Sequence, residues 1–162
     1  MTGGQLDLGV VGEARFDPAL HVQPFRQDRL ALILSPSHPL ARKGELAPEE
    51  LAREPFVLRE PGSNTRAVLE RALHERGIEP RVAMELGSME AIKRTVSAGL
   101  GIAFVPECSV GLEQAAGALA VKPVWGLDLH RGLFIIRRAS LHLTLLHQRL
   151  LAALRPGGAA PG

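Results

Sequence analysis

Small polar residues that could bind an anion follow a predicted strand in the segment "REPGSNTR". Pro61 and Gly62 predict a turn. Ser63, Asn64 and Thr65 all offer side-chain oxygens that can cap the helix that follows. The free N–H groups and the positive dipole end of a helix start favour an anion or a carboxylate. Plain capping, which needs no ligand, explains the same residues, so this segment alone leaves both interpretations open.

The segment "LGSMEAIKR" repeats the arrangement, with Ser88 as the predicted cap of the next helix. Ligands of open α/β sheets bind beyond the carboxyl ends of the strands, so two such helix starts should face the same crevice. Gly12 and Glu13 follow an earlier strand and could face it by the same rule, although a turn glycine is the simpler interpretation. Arg66 could add positive charge, whereas an exposed helix arginine is the commoner outcome. The two helix starts together favour a ligand site.

The remaining reactive residues do not form a catalytic or metal-binding pattern. Cys108 is the single cysteine, lacks an orienting partner in the sequence and is expected to be a small buried apolar side chain. The six histidines lack HxH or HExxH spacing, and the sequence has no GxSxG, P-loop or GxGxxG motif. We therefore expect no catalytic residue, no metal ion and no cofactor.

Apolar runs that predict strands alternate with segments that predict helices. The runs "LDLGVVG", "GIAFVP" and Leu30 to Leu34 are typical of buried strands, and "RVAMELG" places Val82, Met84 and Leu86 on one strand face. Helices are predicted to begin at or next to Pro48, Ser63, Ser88 and Ser140. The helix after Ser88 should bury a stripe made of Met89, Ile92, Val96 and Leu100. This order predicts an α/β fold with a largely parallel sheet.

The composition is that of an ordinary globular protein of 162 residues, with 46% hydrophobic and 22% charged residues. Its net charge of +2 and its 4% of aromatic residues disfavour direct binding of nucleic acid. The first residues lack the pattern of a signal peptide, and no apolar run is long enough to span a bilayer. The simplest expectation is a cytoplasmic protein without membrane contact.

Five segments together resemble the effector-binding region of LysR-type transcriptional regulators. In family order they are "GQLDLGVVG", "LILSPSHPLA", "LAPEELAREPFVLREPGSNTR", "LGSMEAIKRTVSAGLGIAFVP" and "LHQRLLAAL". They extend over nearly the whole chain, from Gly4 to Leu154. The combination is specific, and the run "GSMEAIKRTVSAGLGIAFVP" contributes most to it.

The resemblance implies a two-lobed fold like that of periplasmic binding proteins, with mostly parallel sheets. Lobe I would comprise residues 1–34 and 131–155, lobe II would comprise residues 35–130, and residues 156–162 would form a disordered tail. The first strand and first helix of the family's lobe I have no counterpart here, so we expect lobe I to be incomplete and to expose apolar surface.

The same resemblance implies an effector site in a cleft between the lobes. Gly12 and Glu13 would line it from lobe I. Lobe II would contribute Pro61, Gly62, Ser63, Asn64, Thr65, Ser88, Val105 and Pro106. The expected partners are a small effector, which the helix starts suggest is anionic, and a second copy of the chain. DNA would be contacted only through a winged helix-turn-helix domain that is absent from this sequence.

Two other functions remain open at this level. A free-standing solute-binding protein would use the same fold, although the missing signal peptide and lobe I elements count against it. A small enzyme would need a reactive group such as Cys108 or a histidine. The sequence does not identify the effector.

We predict that the 162-residue chain does not bind duplex DNA sequence-selectively, because it has no helix-turn-helix and no basic stripe. Fluorescence anisotropy with duplexes of different sequence measures this. Sequence-selective binding that survives physiological salt would contradict it.

Overall fold

The computed structural model describes residues 6–12 and 16–154, along which strands and helices alternate. The elements are β1 (Leu8–Gly12), β2 (Leu20–Leu34), β3 (Pro55–Arg59), α1 (Asn64–His74), β4 (Arg81–Leu86), α2 (Met89–Ser97), β5 (Ala103–Pro106), α3 (Gly111–Ala115), β6 (Ala120–Lys122), β7 (His130–Arg138) and α4 (Leu145–Ala153). Short 3-10 turns lie at Pro39–Arg42, Pro48–Leu51 and Glu107–Ser109. The α/β class predicted from the sequence is confirmed.

The chain divides into two compact units. Unit 1 consists of the described residues up to Gln27 and from Arg131 onward, and unit 2 is Asp28–His130. The first division falls inside β2, whereas the sequence placed a boundary at residue 34, next to the proline-rich break. The 15-residue strand β2 continues unbroken from one unit into the other and ends only at that break.

The strands β3 to β6 of unit 2 all run in one direction. β3 pairs with β4 in parallel, and a parallel bridge joins Phe56 to Ile102, immediately before β5. The second half of β2 pairs antiparallel with both β5 and β6. The expectation of mostly parallel strands therefore holds in unit 2, with β2 as the antiparallel member.

Two apolar clusters form the core of unit 2. One cluster joins alternate residues of β2 to the apolar stripe of α1, which consists of Val68, Leu69, Ala72 and Leu73. The other joins Ile33, Val57 and Val105 to Ile92 and Val96 of α2. Helices on both faces explain why the end of β2, the middle of β3 and all of β5 are buried throughout rather than alternating.

Gly101 allows the start of β5 to approach β3 closely. Its backbone has a φ of +154°, and a Cβ at this position would lie 2.6 Å from the carbonyl oxygen of Pro55. The neighbouring Ile102 N–H donates to that same oxygen at 2.8 Å. A side chain at position 101 would therefore disturb the contact that aligns β5 with β3.

Two predicted details of the helices are wrong. Leu100 is 57% exposed and lies outside the stripe of α2, because this helix ends at Ser97 and Gly99 then adopts a φ of +78°. The last helix is capped by Thr144 rather than Ser140, and the hydroxyl of Thr144 accepts from the N–H of His147.

Two further predictions also need correction. The segment at Pro48 forms a short 3-10 turn rather than an α-helix. On β4, Met84 and Leu86 pack against the core, whereas Val82 is 43% exposed. The register of β4 against β3 shifts between these residues, so Val82 lies opposite Phe56 of one core cluster whereas Met84 lies opposite Val57 of the other.

Unit 1 contains β1, the first part of β2, most of β7 and the last helix, and β7 lies between β1 and β2 in the strand order. β1 pairs with β7 from Leu8 opposite Arg137 to Gly12 opposite Leu133. Leu145, Leu146 and Leu150 of α4 are exposed, as are Leu6 and Val10 near or on β1. Within the described residues, no helix has the length and apolar character needed to cross a bilayer.

We predict that Gly101→Ala lowers the free energy of unfolding by about 1–3 kcal/mol, because alanine at this φ is strained and its methyl group meets the Pro55 carbonyl. Urea unfolding followed by circular dichroism measures the change. Gly44→Ala is the matched control, because a Cβ there meets nothing within 4 Å. Equal stability of the two variants would contradict the role assigned to Gly101.

Candidate functional site

The parallel strands β3 and β4 end side by side. Their last residues, Arg59 and Leu86, are register partners. Helix α1 begins a few residues after the first of these ends, and α2 begins shortly after the second. We call this region, residues 59–65 and 86–88, the carboxyl edge. It brings together the two helix starts that the sequence singled out.

The Ser63 hydroxyl at the start of α1 does not cap the helix. Ser63 is the N-cap residue, but its side chain makes no capping hydrogen bond, and its N–H donates to the Glu60 carbonyl at 3.2 Å. Pro61 and Gly62 form an exposed turn in which Gly62 has a φ of +88°. The helix then begins with Asn64, which is half-buried, and with Thr65, which is 5% exposed.

The start of α2 uses its serine as a cap. The Ser88 hydroxyl accepts from the Ala91 N–H at 3.4 Å, and the residue is exposed. Glu90 lies in the first turn, where the helix dipole favours a negative charge. The two serines therefore differ, because only Ser88 is engaged in capping its own helix.

The remaining predicted site residues do not belong to the carboxyl edge. Val105 and Pro106 end β5 with buried side chains, and Val105 belongs to the core cluster packed on α2. The Pro106 carbonyl accepts from the Ser109 hydroxyl at 2.7 Å. Gly12 ends β1 in unit 1, and Glu13 lies outside the described residues.

An ion pair at the carboxyl edge was missed by the sequence reasoning. Arg59 donates through Nε and Nη2 to the two carboxylate oxygens of Glu60, both at 2.7 Å. The hydrogen bonds from Arg59 lower the pKa of Glu60 to about 2. A Cβ on Gly87 would lie 3.8 Å from Glu60 Oε2, so this carboxylate sits beside the turn that leads into α2. The only sequence signal was the adjacent "RE" at a strand end.

The Arg66 side chain is largely buried and is directed toward the fold. Its guanidinium binds Glu70 and Glu85 at 2.7 and 2.6 Å and donates to the Arg59 carbonyl at 3.2 Å. The Glu70 carboxylate, followed by that of Glu85, raises the pKa of Arg66. With its side chain 15% exposed, Arg66 joins α1 to β3 and β4, so the expectation of an exposed helix arginine is wrong.

A second basic residue joins α2 to the segment after β5. Lys93 is buried, and its ammonium contacts the carboxylates of Glu113 and Glu90 and the carbonyl of Ser109. The Glu113 carboxylate, and after it that of Glu90, raises the pKa of Lys93. Because Ser109 bonds back to the end of β5, this network holds the start of α2 and the end of β5 in one arrangement.

Unit 2 also contains a cavity of about 360 Å³ beyond the ends of β5 and β6. Its lining includes the apolar residues Leu30 and Leu129 together with Lys122 and the Arg29–Glu107 pair. Arg29 binds both oxygens of Glu107, at 3.2 and 3.3 Å. None of these lining residues was singled out by the sequence.

The described residues show no arrangement that would hold a metal ion, since no group of three His, Cys, Asp or Glu side chains converges among them. Cys108 is exposed rather than buried, so the expectation of a buried apolar cysteine is wrong. It lies in the short turn after β5, which leaves its side chain outside the core.

Comparison with known proteins gives one consistent result. The family model described as "LysR substrate binding domain" matches residues 2–159. The HTH-type transcriptional regulator CbbR of Xanthobacter flavus is 38% identical over 159 residues, which cover 96% of this chain and 48% of that protein. The HTH-type transcriptional activator CmpR of Synechocystis sp. is 35% identical over 145 residues, or 90% of this chain and 48% of that protein. The chain thus spans about half the length of the curated relatives it matches.

A solved structure shows the same fold. The regulatory domain of Synechocystis PCC6803 CcmR, in complex with 2-PG, aligns with a TM-score of 0.85 and 31% sequence identity. The alignment covers 95% of this chain and 74% of that chain.

We predict that the Arg59–Glu60 pair makes stability depend on pH below about 4.5, the ordinary pKa of a glutamate. Because folding lowers this pKa, the pair stabilises the fold above pH 4.5, and its contribution is lost as the pH falls toward 2. Glu60→Gln should therefore melt below the wild type at pH 7, and the difference should shrink below pH 4.5.

Thermal melts between pH 7 and pH 3 measure this difference. Glu75→Gln, at the exposed end of α1, is the control and should show no such convergence. A constant difference for Glu60→Gln across this range would contradict the prediction.

Proposed function

The chain belongs to the LysR substrate-binding domain family, and from this premise we propose that it is the effector-sensing module of a LysR-type transcriptional regulator. Its role in this proposal is to bind a small molecule rather than to convert it, and the regulator names of its relatives support that role. DNA is contacted only through a winged helix-turn-helix domain outside these 162 residues. Because the proposed regulator acts on DNA, we propose that it is located in the cytoplasm.

The observation that carries the proposal is the meeting of two helix starts at the carboxyl edge. β3 and β4 are parallel neighbours, so the N-termini of α1 and α2 lie at the same carboxyl edge, although the two helices pack on opposite faces. Helix N-termini attract anions through their N–H groups and dipoles. The bound effector is accordingly a small anion, held at the carboxyl edge with the Ser63 hydroxyl as a polar contact.

2-PG is the first candidate for this effector. It is the ligand of the CcmR regulatory domain, which is 31% identical over 95% of this chain. The identity is high enough to choose a probe, and the chemistry of the carboxyl edge is compatible with a ligand that presents charged oxygens.

Regulation requires that effector binding change the state of the whole protein. A ligand shifts such an equilibrium only when it binds one state better than the other. We propose that the protein works as a homo-oligomer and that an effector at the carboxyl edge changes how its copies associate. The ion pairs that join α1 to β3 and β4, and α2 to the segment after β5, would transmit a shift of either helix start.

We predict opposite outcomes for the two serines. Ser63→Ala should weaken binding of 2-PG roughly ten- to a hundredfold, since a hydrogen bond to a charged ligand group is lost. It should leave stability nearly unchanged, because this hydroxyl does not cap α1. Ser88→Ala should lower the free energy of unfolding by about 1 kcal/mol through the lost cap.

Isothermal titration calorimetry with 2-PG and urea unfolding separate the two effects. Ser97→Ala, at the other end of α2, is a control because its hydroxyl bonds to the Ala118 carbonyl. It should alter stability without altering affinity. No binding of 2-PG or of inorganic phosphate by the wild type, or equal affinity of Ser63→Ala and wild type, would count against the proposed site.

A further inference from the structure

The Arg59–Glu60 pair lies at the carboxyl edge, to which the proposed function assigns the effector. Arg59 is the last residue of β3, and the Glu60 carboxylate lies beside Gly87, immediately before the cap of α2. The two side chains share a forked, two-bond contact at 2.7 Å, the geometry with which arginine binds carboxylates and phosphates. A carboxylate of the protein itself thus already stands at the carboxyl edge.

Both Arg59 and Arg66 are already paired with carboxylates of the same unit, so neither guanidinium is available to a ligand. Arg59 is paired with Glu60, and Arg66 is paired with both Glu70 and Glu85. Three carboxylates therefore face two guanidinium groups. A further anion would be repelled unless one of these carboxylates gave up its place.

Of these three carboxylates, Glu60 requires the least free energy to separate from its arginine. Its side chain is 45% exposed, so water can solvate it once it is released. It belongs to the turn before α1 and makes its pair with a single arginine, whose side chain is 22% exposed. Arg66, in contrast, is held by two carboxylates and a backbone carbonyl and is 15% exposed.

We propose that Glu60 is a built-in competitor at the effector site, and that the anionic group of the effector takes its place on the Arg59 guanidinium. This inference rests on the proposed function, because it assumes that the carboxyl edge binds an anion. In this exchange, Arg59 replaces its two-bond contact with the Glu60 carboxylate by a two-bond contact with the anion. The backbone hydrogen bond from the Ser63 N–H to the Glu60 carbonyl is retained. A ligand without a forked pair of charged oxygens cannot displace Glu60, so the exchange selects for carboxylate or phosphate groups.

Glu60→Gln tests the competition directly. This change keeps the shape of the side chain and removes its charge. We expect it to tighten binding of inorganic phosphate and of 2-PG roughly tenfold or more, because Arg59 is released and a repelling charge is removed. Titration calorimetry on the 162-residue chain at pH 7 gives the affinities, and circular dichroism verifies that the variant is folded.

Two further variants separate local exchange from a general effect of charge. Glu70→Gln removes a carboxylate of the same kind from the neighbouring pair with Arg66, and it should change the affinity less than threefold. Arg59→Met should abolish the gain when combined with Glu60→Gln, because the guanidinium that receives the anion is gone. In the ¹H–¹⁵N spectrum, the Arg59 Nε resonance should shift when phosphate is added.

The outcomes distinguish this inference from the proposed function. Wild-type binding with no gain in Glu60→Gln overturns the competition and leaves the function standing. Equal gains in Glu60→Gln and Glu70→Gln also overturn it, since the effect would then be long-range charge. Failure of the wild type and of every variant to bind either probe overturns both.

Discussion

The parallel alignment of β3 with β4 is the constraint on which the candidate site depends. Two strands that run in the same direction and are each followed by a helix must deliver both helix starts to one edge. The alignment continues into β5 through the contact that Gly101 permits with Pro55. The core secures it from both faces, since α1 covers one apolar cluster and α2 covers the other. A slip of one residue in this pairing would turn the buried side chains outward and separate the two helix starts.

The electrostatic balance of the carboxyl edge rests on ion pairs within unit 2. Unpaired arginines at a helix start would attract any anion, whereas Arg59 and Arg66 here are held by carboxylates of the same unit. The pairs orient the guanidinium groups and join α1 to β3 and β4. Under the competition that we propose, anion binding is an exchange of ionic partners, in which the gain from the ligand is offset by the loss of an internal pair. Such an exchange would favour selectivity over affinity.

Local sequence patterns predicted most elements but misjudged residues where one element ends. Leu100 continues the apolar spacing of α2, yet Gly99 terminates the helix and leaves this side chain in solvent. Val82 alternates with Met84 in the sequence, but the register of β4 against β3 shifts between these two residues and Val82 is exposed. Cys108 follows an apolar strand and falls in an exposed turn. Apolar spacing does not contain the helix end, the register shift or the turn that decide exposure at these three positions.

The sequence by itself determined the α/β class, the strand–turn–helix order, the helix starts at Ser63 and Ser88, and the family resemblance, because these follow from short-range patterns of apolar residues, glycine and hydroxyls. Only the tertiary structure decided which charges meet. Arg66 and Glu85 are 19 residues apart and join two elements through one contact. In the sequence such residues look like any solvated helix or strand face, since a charge pattern does not specify the partner. The ionic arrangement of the carboxyl edge therefore emerges only when the strands pair, because pairing alone sets the distances between side chains from different segments.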